Sequence, residues 1–186
     1  MSREKMLPQE EIIRIAAKAG ADAALAKMEQ QRKAEDKQWS DRRFRNTKLL
    51  LSNYRDFKEY SVNAIYEAEQ SEEVVDIMEL MWDPQNRAEQ IVESIKRSAI
   101  RTKIIMTHIE GMLSSYSFIT SNTKNPAEKR RYEVLCDRYI AEEQITIEEI
   151  AIKYSIEPRT VYMDIEAAIE RMSRLIFGID YILRGK

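Results

Sequence analysis

The sequence predicts an all-α protein, with an N-terminal multi-helix region followed by a C-terminal helix-turn-helix domain. The chain of 186 residues contains only four Gly and four Pro, too few turn-forming residues for the many short strands of a sandwich or barrel. Hydrophobic residues make up 44% of the chain, which is enough for a folded core and excludes wholesale disorder. The apolar residues recur at helical spacing, and no segment alternates with period two between turn signals.

The first predicted element is a helical arm over residues 1–38. Pro8 suits the first turn of a helix, and Glu10 and Glu11 favour its positive end. A stripe of mostly small side chains follows, with residues spaced by four and three positions: Ile12, Ala16, Ala19, Ala23 and Ala26. Because small residues let another helix approach closely, we expect the arm to pack on a partner helix or on another copy of the chain. The alternative is a solvated, frayed arm.

The second predicted region, residues 39–120, contains three helices. Ser40 and Asp41 suit the cap of a helix over about 42–70, and helices over about 71–82 and 86–116 follow. Pro84 separates the last two, because proline disfavours helix in the residue before it. The run Ser-Asn-Thr-Lys-Asn-Pro at 121–126 is the clearest turn signal in the chain, and it marks the expected domain boundary.

The third predicted region, residues 121–186, has the spacing of a helix-turn-helix. After a helix over 127–140, Thr146 and Glu149 form a capping box at the start of a second helix, and Pro158 begins a third that reaches about Phe177. The short connection from Ser155 to Glu157 is typical of two crossing helices. Apolar residues on both helices predict the wedge between them and the buried stripe that continues it: Ile150, Ala151, Tyr154, Ile156, Val161, Ile165, Ala168, Ile169, Met172 and Ile176.

The face opposite this stripe supplies candidate DNA contacts. In a docked helix-turn-helix, the start of the third helix faces base edges in the major groove. Arg159 is suited to guanine, Met163 to a thymine methyl and Glu166 to cytosine. The predicted base-reading residues are Arg159, Thr160, Tyr162, Met163 and Glu166, and the predicted phosphate contacts are Lys129, Arg130, Arg131 and Lys153. The same pattern also fits a helical hairpin that binds nothing, and Glu170 would repel phosphate.

Charge is segregated along the chain, although its formal net charge is only −2. Residues 29–60 carry nine Lys/Arg against six Asp/Glu, and residues 96–138 carry nine against four. Residues 61–93, in contrast, carry one Arg against nine acids. A polyanion is able to meet either basic block while the acidic block faces elsewhere, although helical surfaces often alternate in sign without any such partner.

The sequence offers no basis for an enzyme, a cofactor or a metal site. It contains one Cys, Cys136, and one His, His108, and both are expected to be packed structural residues. No phosphate-binding Gly-rich motif and no nucleophile elbow occurs. The N-terminus shows no apolar signal segment, and the most apolar stretch is too short and too polar to cross a bilayer. We therefore expect a cytoplasmic protein without a membrane partner.

Two runs resemble a known family. The run 147–165, with Arg-Thr-Val-Tyr-Met-Asp-Ile at 159–165, resembles the helix-turn-helix of the fourth conserved region of bacterial sigma factors and their phage relatives. The run 45–55, Arg-Asn-Thr-Lys-Leu-Leu-Leu-Ser-Asn-Tyr-Arg, is similar to a stretch in the sigma-like, ArpU-type late-gene regulators of phages and prophages of Gram-positive bacteria. Together the two runs cover about 30 residues.

The resemblance implies a sequence-specific regulator that binds double-stranded promoter DNA and activates phage or prophage late genes. It also implies that residues 39–120 contact RNA polymerase or support a homo-oligomer. Two alternatives stay open. One is a small terminase-like protein that recognises phage DNA for packaging, and the other is a helical adaptor that binds no nucleic acid.

Overall fold

A computed structural model describes residues 8–63, 90 and 99–178 of the chain. These residues form six α-helices and no strand, so the all-α prediction is confirmed. The helices are α1 (Gln9–Ser52), α2 (Tyr54–Asn63), α3 (Ala99–Ser121), α4 (Pro126–Leu135), α5 (Ile147–Tyr154) and α6 (Pro158–Phe177). The helix predicted over 71–82 and the break at Pro84 lie outside the described residues. No helix of the described part has the length and apolar character that a membrane crossing requires.

The chain divides into two compact units, of which the first ends at Asp41 and the second begins at Arg42. In the described part of the first unit, most side chains are exposed, including five large apolar ones on α1: Ile12, Ile13, Ile15, Leu25 and Met28. The Lys33 ammonium lies 3.4 Å from the Glu29 carboxylate one helical turn away. The arm prediction ended at residue 38, three residues before this division.

The predicted helix break at Ser40 and Asp41 is wrong, because α1 continues through both residues to Ser52. Ser and Asp favour helix caps, yet neither breaks a helix on its own, and neither Pro nor Gly occurs between Gly20 and Pro84. The chain turns instead at Asn53, whose side-chain amide donates to the Leu49 carbonyl at 2.8 Å. α1 and α2 therefore meet at an asparagine turn rather than at a serine cap.

One hydrophobic core joins the helices of the second unit. It combines Leu50 and Leu51 of α1 and Phe57 of α2 with Ile109 of α3 and Met172 of α6, all of them buried. α3 packs against α2, α4 and α6. Residues on both sides of the predicted boundary at 120/121 thus share this core, and the turn at 122–125 joins two helices within it.

α4 is shorter than predicted, since its α-helical bonding ends at Leu135 and a π turn, Cys136–Ile140, follows. The Ala141 amide closes this turn on the Cys136 carbonyl at 2.8 Å. Arg55 of α2 then donates from Nε to the Ala141 carbonyl at 2.7 Å. A side chain from a neighbouring helix thus satisfies a carbonyl group that the end of the helix leaves without a partner.

The predicted joint between α5 and α6 is present. The Thr146 hydroxyl accepts from the Glu149 amide at 3.2 Å, and the Glu149 carboxylate accepts from the Thr146 amide at 2.7 Å, which confirms the capping box. Ser155 ends α5 in the left-handed conformation, with φ of 52°. The Ile156 amide donates to the Ala151 carbonyl at 3.0 Å. Ile150, Ala151 and Val161 are buried where α5 packs on α6, as the apolar pattern predicted.

We expect Ser155→Gly to raise the free energy of unfolding by about 0.5–1 kcal/mol. Glycine adopts a left-handed backbone without the steric penalty that a Cβ atom brings, and this gain exceeds the extra entropy of the unfolded glycine chain. Urea denaturation of the whole chain measures the change.

Ser114→Gly is the matched control, because Ser114 is an exposed serine inside α3. There the substitution should destabilise by about 0.5–1 kcal/mol. A stability loss at position 155 as large as that at position 114 would contradict the left-handed turn.

Candidate nucleic-acid interface

α6 has two faces of different character over its 20 residues. One face is buried along its whole length, and it contains every residue of the predicted apolar stripe: Val161, Ile165, Ala168, Ile169, Met172 and Ile176. The exposed face begins at the first turn of the helix with Arg159, Tyr162, Met163 and Glu166. These positions are spaced by three, one and three residues, so they lie on one side of the helix.

The structure places four of the five predicted base-reading residues on this exposed face. Tyr162 and Met163 are 57% and 61% exposed, although both are large side chains with apolar surface. Arg159 is exposed and forms no ion pair with any described residue. Thr160, the fifth, is half-buried, and its amide donates to the Glu157 carbonyl at 2.8 Å. The four exposed side chains lie side by side at the start of α6 and form a surface with both polar and apolar groups.

Three of the four predicted phosphate contacts have carboxylate partners within the chain. Arg130 donates from Nε to the Asp164 carboxylate at 2.6 Å, and Arg131 donates from Nε to the other Asp164 oxygen at 3.4 Å. Lys153 lies 2.7 Å from the Asp137 carboxylate. Lys129 is exposed and has no ion pair within the described ranges. The phosphate role predicted for Arg130 and Arg131 therefore competes with a role inside the fold.

Asp164 is the centre of this arrangement, and the sequence analysis did not single it out. It lies on the buried stripe of α6 and is only 3% exposed. The hydrogen bond to Asp164 raises the pKa of Arg130, because it stabilises the charged guanidinium. A signal was present in the sequence, since an aspartate between Val161 and Ile165 falls on an apolar stripe and requires a cationic partner.

Glu170, which the sequence analysis expected to repel phosphate, pairs with Arg174 one turn further along α6. This i,i+4 pair offsets the negative charge at the middle of the helix. On the exposed face of α6, Glu166 is thus the acid for which no ion pair to a described residue is found, and it is one of the predicted base-reading residues.

A groove runs beside the exposed face of α6, and the sequence analysis did not predict it. Tyr162, Ile165, Glu166 and Ile169 form its α6 side, and its volume is about 320 Å³. The opposite side includes Lys48 of α1, Arg55 of α2 and Arg138 of the π turn. Three cations and one carboxylate therefore line this cleft. Lys48 and Arg55 lie on consecutive helices, but Arg138 and the α6 residues come more than 80 residues later, and for that reason no local motif indicates the groove.

His108 and Cys136 have structural environments, as expected for both. His108 is half-buried, and its Nε2 lies 2.9 Å from the Ile176 carbonyl. Cys136 is half-buried, and burial raises the pKa of its thiol, which favours the protonated form. In the described part of the chain, no group of three or more His, Cys, Asp or Glu side chains has the geometry of a metal site.

No protein-family model, curated protein or solved structure matches the chain.

Arg130→Ala is expected to lower the free energy of unfolding by about 2 kcal/mol. The substitution leaves the buried Asp164 carboxylate with Arg131 alone, and a buried charge that loses its partner is strongly destabilising. The partial exposure of Arg130 keeps the loss below the full effect for a buried pair. Chemical denaturation provides the measurement.

Lys129→Ala is the control, since it removes a neighbouring cation that is exposed. We expect its stability to stay within about 0.5 kcal/mol of the parent chain. Equal stability of the two variants would show that the Asp164 pair contributes nothing to the fold.

Proposed function

We propose that the chain is a sequence-specific double-stranded DNA-binding protein and that it regulates transcription. The observation that carries the proposal is the exposed start of α6, held by a capped α5 and a short turn, with Arg159, Tyr162, Met163 and Glu166 on one side. Tyr162 and Met163 are both more than half exposed there and lie beside Arg159 and Glu166, so this surface combines apolar, cationic and anionic groups for contact with base edges.

The dimensions of α6 support docking in the major groove. An α-helix with its side chains is about 10–12 Å across, and the major groove of B-DNA is about 12 Å wide. The buried stripe of α6 packs on α3, α4 and α5, so the exposed stripe is the side left for DNA. In this position Arg159 donates to guanine, Met163 contacts a thymine methyl and Glu166 accepts from the cytosine amino group.

The regulatory role follows from the resemblance to sigma-like, ArpU-type regulators. On that basis the target is a phage or prophage promoter, the effect is activation of late genes, and RNA polymerase is a further partner of the helices before α4. The proposed site of action is the cytoplasm. The proposal includes no catalytic activity, no cofactor and no metal.

The test is selection of binding sites from a random duplex library with the full-length chain, followed by fluorescence anisotropy on the selected duplex. Enrichment of one sequence, with weaker binding to scrambled duplexes, is the expected result. Absence of binding to any duplex at low salt would overturn the proposal and favour a helical adaptor. A mass that shows a large ring in solution would instead favour a packaging protein of the terminase type.

Arg159→Ala should weaken binding to the selected duplex by about 1–3 kcal/mol and relax the preference at one base pair. The reason is that a bidentate arginine–guanine contact is lost only where guanine occurs. Anisotropy titrations on the selected duplex and on all substitutions of that base pair measure both effects. Lys129→Ala is the comparison, since loss of a phosphate contact weakens binding equally on every sequence. Unchanged affinity and preference in Arg159→Ala would remove Arg159 from the base-reading set.

A further inference from the structure

Among the described residues, the lining of the groove beside α6 has three cations and one carboxylate, so it carries an excess of positive charge. Lys48 is exposed and makes no ion pair with the described residues. Arg55 donates to the main-chain carbonyls of Ala141 and Arg138, at 2.7 and 3.4 Å. Neutral carbonyl oxygens orient this guanidinium and leave its full charge in place.

Arg138 is held in the same way. Its Nη1 donates to the Ile145 carbonyl at 3.1 Å. The Gln144 amide oxygen, in the orientation that satisfies its hydrogen bonds, accepts from Nη1 and Nη2 of Arg138 at 2.9 and 3.3 Å. Two arginines fixed by uncharged acceptors and one exposed lysine thus line a cleft in which Glu166 is the one carboxylate among the residues that the structure describes.

The groove lies next to the exposed face of α6 and shares residues with it. Its wall includes Tyr162 and Glu166, which are also members of the exposed face at the start of that helix. A helix in the major groove lies between two sugar-phosphate strands that border it. The surface next to Tyr162 and Glu166 therefore meets one of these strands when the exposed face of α6 meets the bases.

We infer that this groove binds the sugar-phosphate backbone at the edge of the major groove, with Lys48 as its exposed contact and with Arg55 and Arg138 as fixed cations. The inference rests on the proposed DNA-binding function and names a contact surface on α1, α2 and the π turn, outside the helix-turn-helix. This surface adds backbone contacts to those predicted for Arg130 and Arg131, whose guanidinium groups already pair with Asp164.

The test compares Lys48→Gln with the parent chain on the duplex selected by the full-length protein. Lys48 is exposed, so the substitution leaves the fold intact. Each phosphate neutralised by a protein cation contributes about −0.9 to the slope of log affinity against log salt concentration. We expect the slope of Lys48→Gln to be smaller by about 0.9, with an equal loss of affinity on selected and scrambled duplexes.

Lys103→Gln is the matched control, because Lys103 is an exposed lysine of α3 that does not line the groove. It should retain the parent slope. A second measurement locates the contact. A set of duplexes is prepared in which one phosphate at a time, on either side of the site, is replaced by a neutral methylphosphonate, and the affinity for each duplex is measured. When the phosphate that Lys48 contacts is replaced, the parent chain should lose affinity relative to the unmodified duplex. Lys48→Gln should bind that modified duplex and the unmodified one equally well.

The outcomes separate the two proposals. Duplex binding in which Lys48→Gln keeps the parent slope and the parent methylphosphonate profile would overturn the groove inference and leave the proposed function standing. A slope change of the same size in Lys103→Gln would also overturn it, since the effect would then be one of net charge. Absence of duplex binding by the parent chain would overturn both proposals.

Discussion

The structure depends on one buried carboxylate. Asp164 lies on the inner face of α6, where a charged group is tolerated only when cations and hydrogen bonds compensate its lost hydration. Arg130 and Arg131 provide that compensation from α4. Because successive residues of an α-helix are about 100° apart, placing Asp164 against α4 fixes the rotation of α6 about its axis. The apolar stripe alone would tolerate a small rotation, whereas a buried ion pair does not.

This constraint determines which residues reach solvent. With Asp164 turned inward, Tyr162, Met163 and Glu166 necessarily face outward, and Arg159 precedes them by one turn on the same side. The His108 contact to the Ile176 carbonyl and the stacking of the Arg43 guanidinium over Phe177, 5.8 Å from its ring centre, hold the other end of α6. The helix is therefore positioned at both ends, which is the preorganisation that a base-reading surface requires.

Local sequence signals predicted the parts of the fold that depend on neighbouring residues. The capping box at Thr146, the start of α6 at Pro158 and its apolar stripe are all present, because each depends on residues within one or two turns. The continuation of α1 past Ser40 was missed, since a cap residue is a preference and needs a helix breaker beside it. The partner of Arg130 and the cations of the groove were missed for another reason, because Asp164 lies 34 residues from Arg130, Ala141 lies 86 residues from Arg55 and Glu166 lies 118 residues from Lys48.

Glu166 connects the exposed face of α6 with the groove, and its charge has opposite consequences for the two. Under the proposed DNA-binding function, Glu166 next to Lys48, Arg55 and Arg138 lowers the attraction of the groove for any phosphate strand, and so it would weaken binding to unrelated DNA. In the proposed complex, its carboxylate would accept a hydrogen bond from the cytosine amino group that offsets the loss of its hydration, whereas guanine and thymine would present only acceptors at the corresponding edge. Specificity is the difference between the affinities for the right and the wrong DNA sites, and repulsion from wrong sites increases that difference. Under the proposed function, an acid among the cations would therefore improve discrimination between DNA sites at the expense of total affinity. This interpretation explains how a chain with a net charge of −2 is compatible with selective binding to DNA.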